Sequence, residues 1–195
     1  MVPGSKVRYM MKKMRSILIL GAAFIIAGCF IATASAAVRD DAKAGFSIKY
    51  DEENWKLEDI TNMFGDLSEF DDKLVSTPFV VANPDEEAAA VIVVVSKRDN
   101  YDNDVLAFIE INMGQVDAKS IYEGEDTFTD SSGDEYDSKV RVWGVTPEFE
   151  EEGIFVSQVF FAKGKRYEIC FLALPDNFLN TWESAKGIID SIDVK

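Results

Sequence analysis

Apolar and polar residues alternate where the body of the chain begins. Phe46, Ile48 and Tyr50 interleave with Ser47 and Lys49, so 45–50 reads as a strand with one buried face. Residues 51–54 turn the chain, and Trp55 and Leu57 open a second, short extended piece. Ile60, Met63, Phe64 and Leu67 then recur at i, i+3, i+4 and i+7, the stripe of an amphipathic helix. A loop over 71–77 leads to strands at 79–82 and 88–97, joined by a turn holding Pro84. Val91 to Val95 are apolar at every position, the pattern of a strand covered on both faces. Asp102 or Asn103 can cap a further helix bearing Val105, Phe108, Ile109 and Met113.

From residue 125 the pattern is one of hairpins. Segments 126–129 and 135–145 flank a polar turn, 154–162 follows a loop over 146–153, and Lys163-Gly164-Lys165 turns into 166–174. Pro175-Asp176 stops that strand and caps a last helix, with Phe178, Trp182, Ala185, Ile189 and Ile192 on one stripe. The element order predicts an α+β fold, a mainly antiparallel β-sheet with helices on both faces, in one domain over 45–195. Residues 37–44 read as a linker in front of it.

The N-terminal 36 residues have a different character. Lys12, Lys13 and Arg15 precede an uncharged stretch running from Ser16 to Val38, and Ala32-Thr33-Ala34-Ser35-Ala36-Ala37 offers small-x-small cleavage positions. That is the layout of an export signal. Three fates follow. Cleavage between Ala36 and Ala37, the leading one, releases a free exported protein. Ile26-Ala27-Gly28-Cys29 resembles a bacterial lipobox, in which Cys29 is acylated and anchors the chain. Uncleaved, residues 17–37 are long enough to span a bilayer at the ~20 residues a helix needs. Each route places the body outside the cytoplasm, as a secreted, periplasmic or envelope protein.

Charge sharpens this division. All five basic residues of 1–36 stand without an acid, so 37–195 holds 15 basic against 35 acidic residues, a net of −20. Such a body repels phosphate backbones and anionic headgroups, which argues against nucleic acid and against membrane contact beyond the N-terminal segment.

Candidate chemistry is sparse. The chain has no His, which removes Ser-His-Asp and Cys-His pairs and imidazole metal ligands. Of its two Cys, Cys170 lies within an apolar strand, where a free thiol acts as a small hydrophobe. No nucleophile-elbow, Ser-Lys or phosphate-loop motif occurs. For calcium, Asn100 to Asp104 sets oxygens at alternate positions, but Val105 stands at the loop glycine and Ile111 at the terminal ligand. The turn starting at Asp130 fails likewise, with Glu135 and Arg141 in those places. No catalytic residue, metal ligand or cofactor is therefore assigned. Two aromatic residues remain as partner contacts: Phe149, a lone ring among four acids in the 146–153 loop, and Trp143 on the strand before it.

Gly45-Phe46-Ser47-Ile48-Lys49-Tyr50 with Trp55 after it, the apolar central strand, Arg166-Tyr167-Glu168-Ile169-Cys170-Phe171, and a helix ending Ile188-Ile189-Asp190-Ser191-Ile192 together resemble a PsbP-like domain. Asp51 stands where the family commonly has Pro, and Ile192 where it ends in Phe. The resemblance implies an α/β/α sandwich without catalytic activity, in a family of adaptors: a photosystem II extrinsic subunit, a Ran-binding nuclear factor, chaperones of secreted effectors and bacterial envelope proteins. The expected function is thus that of an exported, non-enzymatic protein-binding module whose partner is another exported or membrane protein. A small-ligand or calcium-binding module is the alternative, and an unrecognised hydrolase the third.

Overall fold

The computed structural model describes residues 36–59, 73–84, 89–102, 105, 116–147 and 153–195. Backbone pairing, rather than burial, makes the first strand. β1 (Ala36–Asp41) is largely exposed and pairs antiparallel with β2 (Phe46–Asp51), from Ala36 opposite Asp51 to Asp41 opposite Phe46. Asp41 builds the turn between them: its Oδ1 accepts from the N–H groups of Lys43 and Ala44 at 3.0 and 2.8 Å. Gly45 closes the turn at a φ of 80°, which a residue without Cβ adopts freely. A Cβ there would also sit 3.2 Å from the backbone carbonyl of Lys195, a tight approach that adds to the preference for Gly. β2 keeps the expected alternation, with Phe46, Ile48 and Tyr50 inward.

β3 (Lys56–Glu58) is short and exposed, while β4 (Phe79–Asn83) and β5 (Ala89–Ser96) form an antiparallel pair, β5 buried at all eight positions. β6 (Val116–Thr129) and β7 (Glu135–Pro147) make a long hairpin. β8 (Gly153–Ala162) and β9 (Lys165–Ala173) follow, joined by Lys163 and Gly164 at φ 51° and 74°. Two positive φ values in a two-residue loop match the twist of the flanking strands. α1 (Pro175–Ile189) starts with Pro at a position whose N–H would have no partner, and Asp176 lies in its first turn. Its N-cap is Leu174, with no side-chain cap bond, so Pro175-Asp176 begins the helix without capping it. β10 (Asp193–Val194) closes back on β2.

Two antiparallel sheets result, ordered β1-β2-β10 and β3-β4-β5-β9-β8-β7-β6. Register sorts β5 and β9 into two faces. Val91, Val93 and Val95 stand beside Phe171, Ile169 and Tyr167. On that face α1 packs, with Phe178 and Trp182 at 5.2 and 5.6 Å from the Phe171 ring. Trp55, fully buried, donates its indole N–H to Ser184 Oγ of α1 at 2.7 Å. On the other face Val80, Ala90, Ile92, Val94, Phe155 and Cys170 form a continuous core with Val105. Each of the Val, Ile and Phe side chains stabilises the fold by ~1.5–3 kcal/mol through burial.

The architecture is a mainly antiparallel sheet with one helix among the described residues, apart from the helical Val105, in place of the helices on both faces expected from the sequence. The stripes at 60–67 and 103–113 lie outside the described residues, Val105 excepted. The expected linker is also corrected, since most of 37–44 is strand β1. Ala-Ala-Val-Arg-Asp-Asp carries no apolar alternation, because an exposed edge strand held by backbone bonds needs none. β6 likewise begins ten residues before the expected 126, for the same reason. In α1 the buried line is Phe178, Thr181, Ala185 and Ile188, rotated one step from the expected stripe, and Trp182 is half-buried. Thr181 tolerates burial because its hydroxyl donates to Asn177 O at 2.9 Å.

Candidate functional site

Alternation along β9 turns Arg166, Glu168 and Cys170 to the face away from α1, and register sets Ser157 of β8 opposite Cys170. The Arg166 and Glu168 side chains have no exposed surface and approach to 3.2 Å. Ser157 Oγ and Cys170 Sγ both donate to Glu168 Oε1 at 3.4 Å. Arg166 also donates to backbone: Nε to Asn100 O at 2.8 Å, and Nη2 to Asp102 O. Arg141 Nη1 donates to Tyr101 O between them. The Tyr101 ring meets Phe161 edge-on at 5.0 Å and lies 4.9 Å beneath Lys139 Nζ. Two arginines thus clasp three successive carbonyls and fasten 100–102 across the sheet. Ser96, registered opposite Arg166, is fully buried with its hydroxyl unpartnered.

Chemically this cluster is closed. Burial pushes the Cys170 thiol well above its ordinary pKa, and the neighbouring Glu168 carboxylate raises it further. A thiol held protonated is a poor nucleophile. The group is a buried polar network that orders a segment of chain.

The residues singled out in the sequence are placed as follows. Trp143 of β7 is half-buried, its ring 5.6 Å from Phe155, and packs against the core. Phe149 and Cys29 lie outside the described residues. Ala36 and Ala37 are the first two residues of β1. In the two calcium-like loops, Asn100 O is engaged by Arg166, and Asp130 is spent on its own turn. Asp130 Oδ1 accepts from Ser132 N–H, Ser132 Oγ and Asp134 N–H at 3.0, 2.7 and 3.0 Å. Its Oδ2 accepts from Tyr136 and from Val194 N–H, both at 3.4 Å. Among the described residues no group of three or more acids and cysteines is placed to hold a metal ion.

The largest feature that sequence reasoning missed is the free side of the β6–β7 hairpin. Among the described residues β6 is the last strand of its sheet, 14 residues long, and from Lys119 to Thr127 all but Gly124 are exposed. A bulge between Ser120 and Tyr122 leaves Ile121 unpaired, and Ile121 and Tyr122 rank among the large apolar side chains open to solvent. A Cβ at Gly124 would collide with the Tyr122 ring, so the glycine makes room for that ring along the strand. Around it stand Glu123, Glu125 and Asp126, of which Glu123 pairs with Arg141 at 3.2 Å. The edge position is set by sheet order, which no local pattern carries.

No family model matches this chain, and the search of curated proteins finds no relative. Among solved structures it is similar to the solution structure of cyanobacterial PsbP (CyanoP) from Synechocystis sp. PCC 6803, with 15% identity and a TM-score of 0.53, over 90% of this chain and 100% of that one. A crystal structure from Bacteroides thetaiotaomicron aligns with 14% identity and a TM-score of 0.43, over 81% of this chain and 48% of its own. The first likeness shows the fold: it is PsbP-like, as the sequence resemblance implied.

Proposed function

We propose that this chain is an exported, non-enzymatic protein of a bacterial envelope that works by binding another protein, with the β6–β7 hairpin as its contact surface. The observation that carries the reading is the long exposed edge strand β6, with Ile121 and Tyr122 beside its bulge. An edge strand is a template for an added strand, in which main-chain bonds give affinity and alternate side chains give specificity. Glu123, Glu125 and Asp126 deter pairing with a second, equally acidic copy and favour an extended segment rich in Lys and Arg. The PsbP-like fold supports an adaptor, since the resemblance implies binding and not catalysis. In the same reading the fold is a full sandwich. Burial of Ala90, Ile92 and Val94 on the face away from α1 supports a second covering layer, to which Val105 belongs.

The basic-then-apolar N-terminus supports export. Cleavage after Ala36 would remove one residue of β1 and leave the pairs from Ala37 opposite Tyr50 onward. Intact mass of natively produced protein checks this: a chain starting at Ala37 or a diacylated Cys29 is expected, and a soluble cytoplasmic protein keeping 11–36 would overturn export. Co-purification from the native envelope checks the surface. Tyr122→Ser should keep the fold and lose the partner, weakening the contact by ~1–2 kcal/mol or more. Full retention of the partner by Tyr122→Ser and Ile121→Ser together would remove the hairpin from the proposal.

A further inference from the structure

The two sheets touch through aromatic rings, Phe79 lying 6.4 Å from Phe46 and 5.9 Å from Tyr50. Beside that contact, where β1 and β3 end their sheets among the described residues, lies a cavity of about 300 Å³. Register decides what each wall contributes, since paired residues share a face. Arg39 and Asp41 of β1 stand opposite Ile48 and Phe46, on the inward face of the small sheet. Leu57 of β3 stands opposite Val81, and with Phe79 it lies on the α1 face of the larger sheet. Glu58 and Asp59 add carboxylates to that second wall. Asp41 and Asp59 already have partners, Asp41 in the turn it builds with Lys43 and Ala44. Arg39 and Glu58 are both exposed, a cation on one wall and an anion on the other. Between them Leu57 is 49% exposed; among the described residues only Val38 is a large apolar side chain more open to solvent.

We infer that this cavity binds a small zwitterion of the α-amino acid type, its carboxylate on Arg39, its ammonium on Glu58 and an apolar side chain over Leu57. A guanidinium presents a planar fork that a carboxylate meets with two parallel bonds. An ionised Glu only accepts, which suits the three donors of an ammonium group. Selection follows from having both signs: a plain anion leaves Glu58 facing like charge, and a plain cation does the same to Arg39. Covering Leu57 removes apolar surface from water and adds to the attraction. The volume stands at the small end of the ~300–1,000 Å³ typical of ligand pockets, the size for one amino acid. β3 and β6 are opposite ends of the larger sheet, so the site does not depend on the β6–β7 hairpin.

Calorimetric titration of the natively produced chain, slightly below neutral pH, reads the site with four compounds. L-Leucine carries all three features. Leucinamide lacks the carboxylate, N-acetyl-leucine lacks the ammonium, and glycine lacks the side chain. Saturable binding of one equivalent of leucine is expected, with each of the other three weaker, the two singly charged ones by at least about tenfold. Arg39→Gln should weaken leucine about tenfold and leave leucinamide unchanged, while Glu58→Gln should weaken leucine and leave N-acetyl-leucine unchanged. A general loss of structure does not produce that crosswise pattern. Should either variant fail to fold, the four-compound comparison on the parent chain still decides. Absence of saturable leucine binding overturns the inference, as does equal affinity for leucine, leucinamide and N-acetyl-leucine, or folded variants that bind leucine as the parent does.

Discussion

Arg166 and Glu168 are the residues on which most of the second core face turns. Neither side chain reaches solvent, and bonds with Ser157, Cys170 and the carbonyls of 100 and 102 are among those that offset the desolvation of the pair. Arg166→Met removes the cation 3.2 Å from the buried Glu168, and a loss of ~3–5 kcal/mol in urea unfolding is expected. Adding Glu168→Leu should restore much of it; a single variant costing under ~1 kcal/mol would show that the pair is not desolvated. Asp130 sets the acid limb of stability. Burial raises its pKa, but the bonds from Ser132, Asp134 and Val194 outweigh burial and hold it below the usual carboxylate value. A depressed folded-state pKa stabilises above the unfolded value and is lost as pH falls, so stability should decline below ~4, and Asp130→Asn should flatten that decline. Tyr167 sets the alkaline limb. Burial pushes it up to about 12, and its hydroxyl donates to Ala44 O and Gly45 O. A raised pKa gives stability that is present below the unfolded value near ~10 and lost above it; Tyr167→Phe should remove that dependence.

Elements differ in how plainly they were written in the sequence, and the difference follows from what holds each one. β2, β5, β8 and β9 are set by burial, so alternation or a continuous apolar run announced them. β1 and most of β6 are edge strands held by backbone bonds on one side, and their polar residues gave no signal. The proposed contact surface was less legible still. Trp143 read as half-core or contact, and the structure packs it on Phe155. Arg166 and Glu168 looked like ordinary members of an apolar strand until register placed them. The β8–β9 turn carries a correctable fault. Lys163 occupies a φ of 51°, a conformation that costs an ordinary L-residue ~1–2 kcal/mol, and its Nζ bond to Val194 O offsets part of that. Lys163→Asn creates the Asn-Gly pair such turns favour, and thermal unfolding should show a gain of ~0.5–1 kcal/mol. A destabilised variant would mean the Val194 contact outweighs the backbone strain.

At the scale of the whole molecule, the α1 face is closed by Trp55, Phe171, Phe178 and Trp182, while the far end of the larger sheet ends in an acidic strand open to solvent. The proposed binding surface therefore lies on β6, while α1 does structural work. One comparison isolates this claim. Tyr122 on β6 and Leu179 on α1 are each 41% exposed, so a photo-reactive residue at either position meets solvent equally. Crosslinking in the native envelope, with the adducts resolved by mass, should give one discrete partner from position 122 and only diffuse background from 179. The same discrete adduct from both positions, or from 179 alone, would contradict the account.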